Sequence, residues 1–160
     1  MSNLVEGAPA PDFELSGADG PVRLADYAGK PLVVYFYPKD DTSGCTREAQ
    51  DFTALAGDFA KAGVSLLGVS KDSLASHAKF TAKYGLAVPL ASDPEGAMIE
   101  AYGSWVEKNM YGRKYMGIER STFLIDASGK LARIWRKVKV PAMPKRCWRR
   151  RGGCADPSRH

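Results

Sequence analysis

Cys45 opens an amphipathic stretch directly after the loop Pro38-Lys39-Asp40-Asp41-Thr42-Ser43-Gly44. A cysteine in the first turn of a helix faces backbone N–H groups with no intrahelical acceptor, and the positive end of the helix dipole. Both favour the thiolate, the nucleophilic form of sulfur. Thr42 lies three residues earlier, near enough in a turn to bring a hydroxyl beside the sulfur. Such a thiol can attack an electrophile or be reversibly oxidised. Position alone fits equally well a small buried side chain at a strand–helix junction.

Other chemistries lack a required residue. Disulfide exchange needs Cys-x-x-Cys, but position 48 is Glu and position 42 is Thr. A cysteine phosphatase needs arginine six residues after the nucleophile, where Asp51 stands. Cys147, Cys154 and His160 do not reproduce zinc-ligand spacings. Asp40-Asp41 lacks the surrounding oxygen donors of a cation loop. No metal and no cofactor is expected. Asp93 and Asp126 read as turn formers, and His77, in a helix without a partner motif, as a surface residue.

The elements that must position Cys45 follow from periodicity. Leu32–Tyr37 is a continuous apolar run between prolines, the pattern of a strand buried on both faces. Ala49, Phe52, Leu55, Ala56 and Phe59 keep helical spacing up to Ala62-Gly63. Val64–Val69 predicts a second buried strand, and Asp72 or Ser73 caps a helix running to about Tyr84-Gly85. A short strand at Val88–Ala91 and a short helix at Glu95–Tyr102 follow. Ser121–Ile125 and Leu131–Val138 form a hairpin around Asp126-Ala-Ser-Gly-Lys130, and Val22–Leu24 precedes a turn near Gly29. The plan is an α/β fold, a central mixed sheet flanked by helices. Chemistry in such sheets sits at the carboxyl ends of strands, which directs attention to Pro38–Cys45.

A chain of 160 residues that is 44% hydrophobic and 26% charged is one soluble domain. No apolar run is long enough to span a bilayer. Met1–Gly7 has no basic end leading into an apolar run, and three cysteines are too few for a disulfide framework. The protein is therefore expected in the cytoplasm with reduced thiols. Residues 142–160 carry six cations and one anion, leaving 17 of each sign in residues 1–141. A neutral body argues against nucleic-acid binding, and the Arg149–Arg151 run reads as solvated charge.

The run Phe36-Tyr37-Pro38-Lys39-Asp40-Asp41-Thr42-Ser43-Gly44-Cys45-Thr46-Arg47-Glu48 resembles the active-site loop of peroxiredoxins, with Pro38, Thr42 and Cys45 in the family's Pro-x-x-x-Thr-x-x-Cys frame. The wording is nearest the bacterioferritin comigratory protein (PrxQ) branch. The resemblance continues through Leu67–Ser73, Lys108–Gly112, Gly117–Asp126 and Trp135–Pro141, and covers nearly all of residues 4–141. It implies a thioredoxin-like fold and thiol peroxidase activity on hydrogen peroxide and organic hydroperoxides. It assigns the peroxidatic thiol to Cys45, with Thr42, Arg120 and Pro38 completing the pocket. Arg120 would stabilise charge on sulfur and peroxide, and Glu48, one helical turn on, would hold its guanidinium. The amides of Gly44 and Cys45 would add donors, and Pro38 would shield the sulfur from water.

The family pattern is broken in three places. Relatives that carry a resolving cysteine have it five residues after the first, here Gln50, or in the next helix, here Phe80-Thr81-Ala82. The body therefore reads as a one-cysteine enzyme reduced by an external thiol: thioredoxin, glutaredoxin or glutathione. Cys147 or Cys154 is a possible resolving thiol, although disulfide geometry is demanding. Ser43 stands where the family has proline, which would loosen the loop. The tail, residues 142–160, is unlike the family, whose C-terminal helix reappears if one base is inserted near Ala142 in a GC-rich back-translation. It is therefore expected to be an out-of-frame replacement of that helix, following a domain of residues 1–141. The resemblance implies a monomer. The competing reading is a redox sensor or chaperone on the same scaffold.

Overall fold

The computed structural model describes residues 4–136; the tail, Cys147 and Cys154 lie outside the described residues. Nine strands are described: β1 (Glu14–Gly17), β2 (Gly20–Arg23), β3 (Leu32–Phe36), β4 (Ser65–Ser70), β5 (Leu90–Ser92), β6 (Trp105–Met110), β7 (Arg113–Ile118), β8 (Ser121–Ile125) and β9 (Leu131–Trp135). The helices are α1 (Ser43–Lys61), α2 (Leu74–Tyr84) and α3 (Ala97–Ala101), with a 3₁₀ turn at Leu24–Tyr27. Seven strands form one sheet in the order β2-β1-β5-β4-β3-β8-β9. β3, β4 and β5 are parallel neighbours, whereas β8 runs antiparallel to β3 and β1 antiparallel to β5.

The expected mixed sheet is present, and β3 is buried on both faces as its sequence requires. Val33 and Tyr35 pack with Cys45, Ala49, Phe52 and Phe59 of α1 and Phe80 of α2. Leu32, Val34 and Phe36 point the other way, to Met98, Ile99, Tyr102 and Phe123. Phe52 stacks on Tyr35 with ring centroids 4.6 Å apart. Each such aromatic stabilises the fold by roughly 1.5–3 kcal/mol through burial. The side of α1 that carries Cys45 is thereby fixed against the sheet.

The sequence reading omits β1 and the separate two-stranded ribbon of β6 and β7. The Glu95–Tyr102 helix contracts to Ala97–Ala101, and the last strand ends at Trp135 rather than Val138, which lies outside the described residues. α2 is capped as expected: Ser73 Oγ accepts from the Ser76 N–H, and Gly85 closes the helix at φ 60°. Among the described residues no helix is long and apolar enough to cross a membrane.

Candidate active site

Two strand ends build the site. β3 runs into the Pro38–Thr42 loop, and the antiparallel β8 begins beside it, with Ser121 opposite Phe36. Arg120, one residue before β8, therefore arrives where β3 hands over to α1. Thr42 is the N-cap of α1 and Cys45 its third residue, so the N–H groups of Ser43, Gly44 and Cys45 precede the first helical acceptor. Glu48 follows one turn later on the same buried face. Ser43 occupies the first helical position, and the helix starts there without a proline.

These elements converge on one guanidinium. Arg120 Nη2 donates to Cys45 Sγ at 3.2 Å and Nη1 to Glu48 Oε1 at 2.6 Å. Cys45 is 1% exposed and Glu48 0%. The second carboxylate oxygen of Glu48 is buried without a partner. Burial pushes the Glu48 carboxyl up to about 7, against the opposing pull of Arg120. Burial also works against the charge of Arg120, but Glu48 and Cys45 outweigh it and hold the guanidinium more firmly protonated than usual. Tyr35, on the same face, keeps its proton for the same reason: burial first, then the nearby Glu48 and Cys45.

Cys45, Arg120 and Glu48 are brought together, with Gly44 beside them at the head of α1. The Thr42 hydroxyl donates to the carbonyl of Lys39 at 2.9 Å. With its proton engaged, its lone pairs are left to accept. Pro38, which follows β3 at the start of the loop, is exposed. The sequence reading missed Lys108 of β6, whose ammonium is held below the usual lysine range by burial and then by Arg120, with Glu119 and then Cys45 opposing. Gly117, paired with Val106 in the ribbon, lies diagonal to it, and a Cβ there would sit 3.3 Å from Lys108 Cδ. That crowding is the signal a glycine in an otherwise bulky strand offers.

His77 corrects the sequence reading. It is 4% exposed and shares the inner face of α2 with Phe80. Its ring nitrogens face Asp40 Oδ2 at 2.7 Å and the Ala91 carbonyl at 3.1 Å. Asp40 is buried too, and accepts from the Tyr37 hydroxyl at 2.6 Å and the Ser76 hydroxyl at 2.7 Å. Burial alone would raise the Asp40 carboxyl, but the bonds from His77, Tyr37 and Ser76 prevail and hold it below the ordinary range. A histidine without a local motif is buried here because its partner comes from a loop 37 residues away. Asp40, Asp72 and His77 offer ligand atoms within 4.8 Å of one another. Those atoms already serve hydrogen bonds within the protein, so the cluster reads as a tether rather than a cation site. Asp126 forms the expected turn, accepting from the N–H groups of Ser128 and Lys130.

A sulfur held in the first turn of a helix with a guanidinium beside it is set to act as a nucleophile. Fold and thiol together define the class of thioredoxin-like thiol peroxidases. The chain belongs to the AhpC/TSA family, whose model matches residues 7–134. Among its relatives, a peroxiredoxin Bcp of Xanthomonas campestris is 50% identical over 144 residues, covering 88% of this chain and 89% of that protein. A peroxiredoxin Bcp of Bacillus subtilis is 51% identical over 135 residues, covering 84% and 86%. Similar structures include the Xanthomonas campestris bacterioferritin comigratory protein, studied for its alkyl peroxide reduction activity (TM-score 0.87, 44% identity, 94% and 99% of the two chains). A cysteine-to-serine variant of Xylella fastidiosa PrxQ matches with a TM-score of 0.90 and 36% identity over 97% and 99% of the two chains.

Proposed function

We propose that the protein reduces hydrogen peroxide and organic hydroperoxides at Cys45 and works as a one-cysteine enzyme. The observation that carries this reading is the bridge from Arg120 to both Cys45 and Glu48. Sulfur attacks the proton-bearing oxygen of ROOH in line with the O–O bond. A sulfur–oxygen bond forms, the O–O bond breaks, sulfur is oxidised by two electrons, and the leaving oxygen is reduced. Overall the thiol's proton ends on that oxygen, which departs as alcohol or water. Negative charge moves from sulfur toward the leaving group, and a fixed guanidinium beside the sulfur offers donors to both without reorganising. Thr42 accepts from the peroxide proton, and the amides of Gly44 and Cys45 complete the donor set.

The sulfenic acid that results is then reduced by an external thiol, such as thioredoxin, glutaredoxin or glutathione. Gln50, five residues after Cys45, and Phe80-Thr81-Ala82 in α2 stand where relatives carry a resolving cysteine, which supports this assignment. Stopped-flow peroxide consumption with each reductant tests it in a Cys147→Ser, Cys154→Ser double variant. Turnover within about 2-fold of the parent chain is expected, since no group at the site is changed. Loss of turnover in the double variant would make a tail cysteine the resolving thiol. A protein that consumed one equivalent of peroxide and stopped, whatever the reductant, would be a sensor.

A further inference from the structure

One peptide group links the Thr42 hydroxyl to a residue on a different strand end. The Lys39 carbonyl, which takes the Thr42 proton at 2.9 Å, belongs to the same planar unit as the Asp40 N–H. That N–H donates to Asp72 Oδ2 at 2.7 Å. The carbonyl and N–H of one trans peptide point in opposite directions, so fixing one end fixes the other. The orientation of the Lys39–Asp40 plane, and with it the direction in which Thr42 spends its proton, is therefore set by the Asp72 carboxylate.

Asp72 is itself held from three sides. Ser70 Oγ donates to its Oδ2 at 2.8 Å, its own N–H donates to Ser70 Oγ at 3.1 Å, and Ser92 Oγ donates to its carbonyl at 2.6 Å. Ser70 ends β4, the parallel neighbour of β3, and Ser92 ends β5, the next strand beyond it in the sheet. The orientation of the loop carbonyl that takes the Thr42 proton is thus anchored in the regular part of the fold. The other loop contacts, from Asp40 to Tyr37, His77 and Ser76 and from Asp41 to Lys83 and Tyr84, fix side chains and do not touch this peptide's carbonyl.

We propose that Asp72 is a positioning residue for peroxide reduction: by holding the Lys39–Asp40 peptide it commits Thr42 to accepting, so that a hydroperoxide binds with its proton-bearing oxygen toward the sulfur. The proposal rests on the reading of Cys45 and Thr42 above. If the peptide plane turns, the Lys39 carbonyl leaves Thr42. The hydroxyl proton is then free to point at the peroxide or the thiolate, and the substrate is no longer registered by its own proton. Asp72 contacts neither sulfur nor substrate and acts only through Thr42.

A double-mutant cycle on the full chain tests this, with the second-order rate constant for hydrogen peroxide read by stopped flow. Thr42→Val is expected to slow the reaction about 10²-fold, the scale for one pocket hydrogen bond. Asp72→Ala is expected to slow it about 10-fold, within the coupling seen in one bonded network. The double variant should be no slower than Thr42→Val alone, within about 2-fold, and Asp72→Asn, which keeps a carbonyl oxygen for the Asp40 N–H, should restore the rate to within about 3-fold. Multiplicative losses would overturn the proposal. So would an unaffected Asp72→Ala, or an Asp72→Asn as slow as Asp72→Ala. A merely structural role would lower melting temperature and leave the two losses independent. If Asp72→Ala melts below the assay temperature, Asp72→Glu, which displaces the carboxylate by one methylene, takes its place in the cycle with the same expectations. An unchanged rate in Thr42→Val would overturn the reading of the pocket. A slow Thr42→Val that Asp72 does not couple to would overturn this proposal alone.

Discussion

Cys45→Ser is expected to abolish peroxide consumption, lowering the second-order rate constant on the order of 10⁴-fold or more, the scale on which loss of an activated nucleophile acts. Serine preserves the shape of a side chain that is 1% exposed and keeps a hydrogen-bond acceptor beside Arg120. The variant should therefore fold. What it loses is an ionisable, polarizable atom able to receive an oxygen atom and share its electrons. Stopped-flow mixing with hydrogen peroxide measures the loss, and the melting temperature of the same sample shows that the fold survives. Retained turnover would falsify the assignment of the nucleophile.

Arg120→Ala carries the second largest effect, with consequences for rate and stability that separate by pH. Removing a fixed donor aimed at developing charge should slow peroxide attack about 10²- to 10³-fold. It also leaves Glu48 buried without a cation. Glu48 titrates near 7 in the fold and from 4.5 in its ordinary state, so between those values the folded chain holds a proton that the unfolded chain has lost. The stability this group contributes is complete below pH 4.5 and is lost as pH rises through about 7. In the parent chain Arg120 limits that loss. Without it the neutral carboxyl is tolerated at pH 5, whereas at pH 8 an unpaired buried carboxylate costs about 3–5 kcal/mol. Thermal melts of both proteins at the two pH values should show a larger drop at pH 8, with the rate defect present at both. An equal drop at both pH values would mean that Glu48 does not depend on Arg120.

Much of this site was legible in the sequence because its parts are local. The run Leu32–Tyr37 is apolar throughout, and Cys45, Glu48, Ala49 and Phe52 share a helical face by spacing alone. Placing Arg120 beside them required the resemblance, since no periodicity relates positions 75 residues apart; the antiparallel register of β8 against β3 supplies the reason. What escaped had weak signals. β1 is four residues long and buries only Leu15 and Gly17. In β6 and β7 only Ile118 is fully buried, so the ribbon has no clear alternation to read. Its turn is made by Tyr111 at φ 53° and Gly112, and tyrosine is not a residue that announces a left-handed backbone. Spacing brings the Thr42 hydroxyl near the sulfur but does not show where its proton goes, and the Lys39 carbonyl takes it. Side-chain-to-backbone bonds of this kind are common where threonine precedes a helix.

The most direct measurement is peptide mass spectrometry of the full chain after one equivalent of hydrogen peroxide, with a sulfenic-acid trap present from the start. The account predicts one trapped oxidation, on the peptide containing Cys45, formed while a free thiol in the same tube is still reduced. Oxidation first at Cys147 or Cys154, or at Cys45 no faster than at the free thiol, would contradict it.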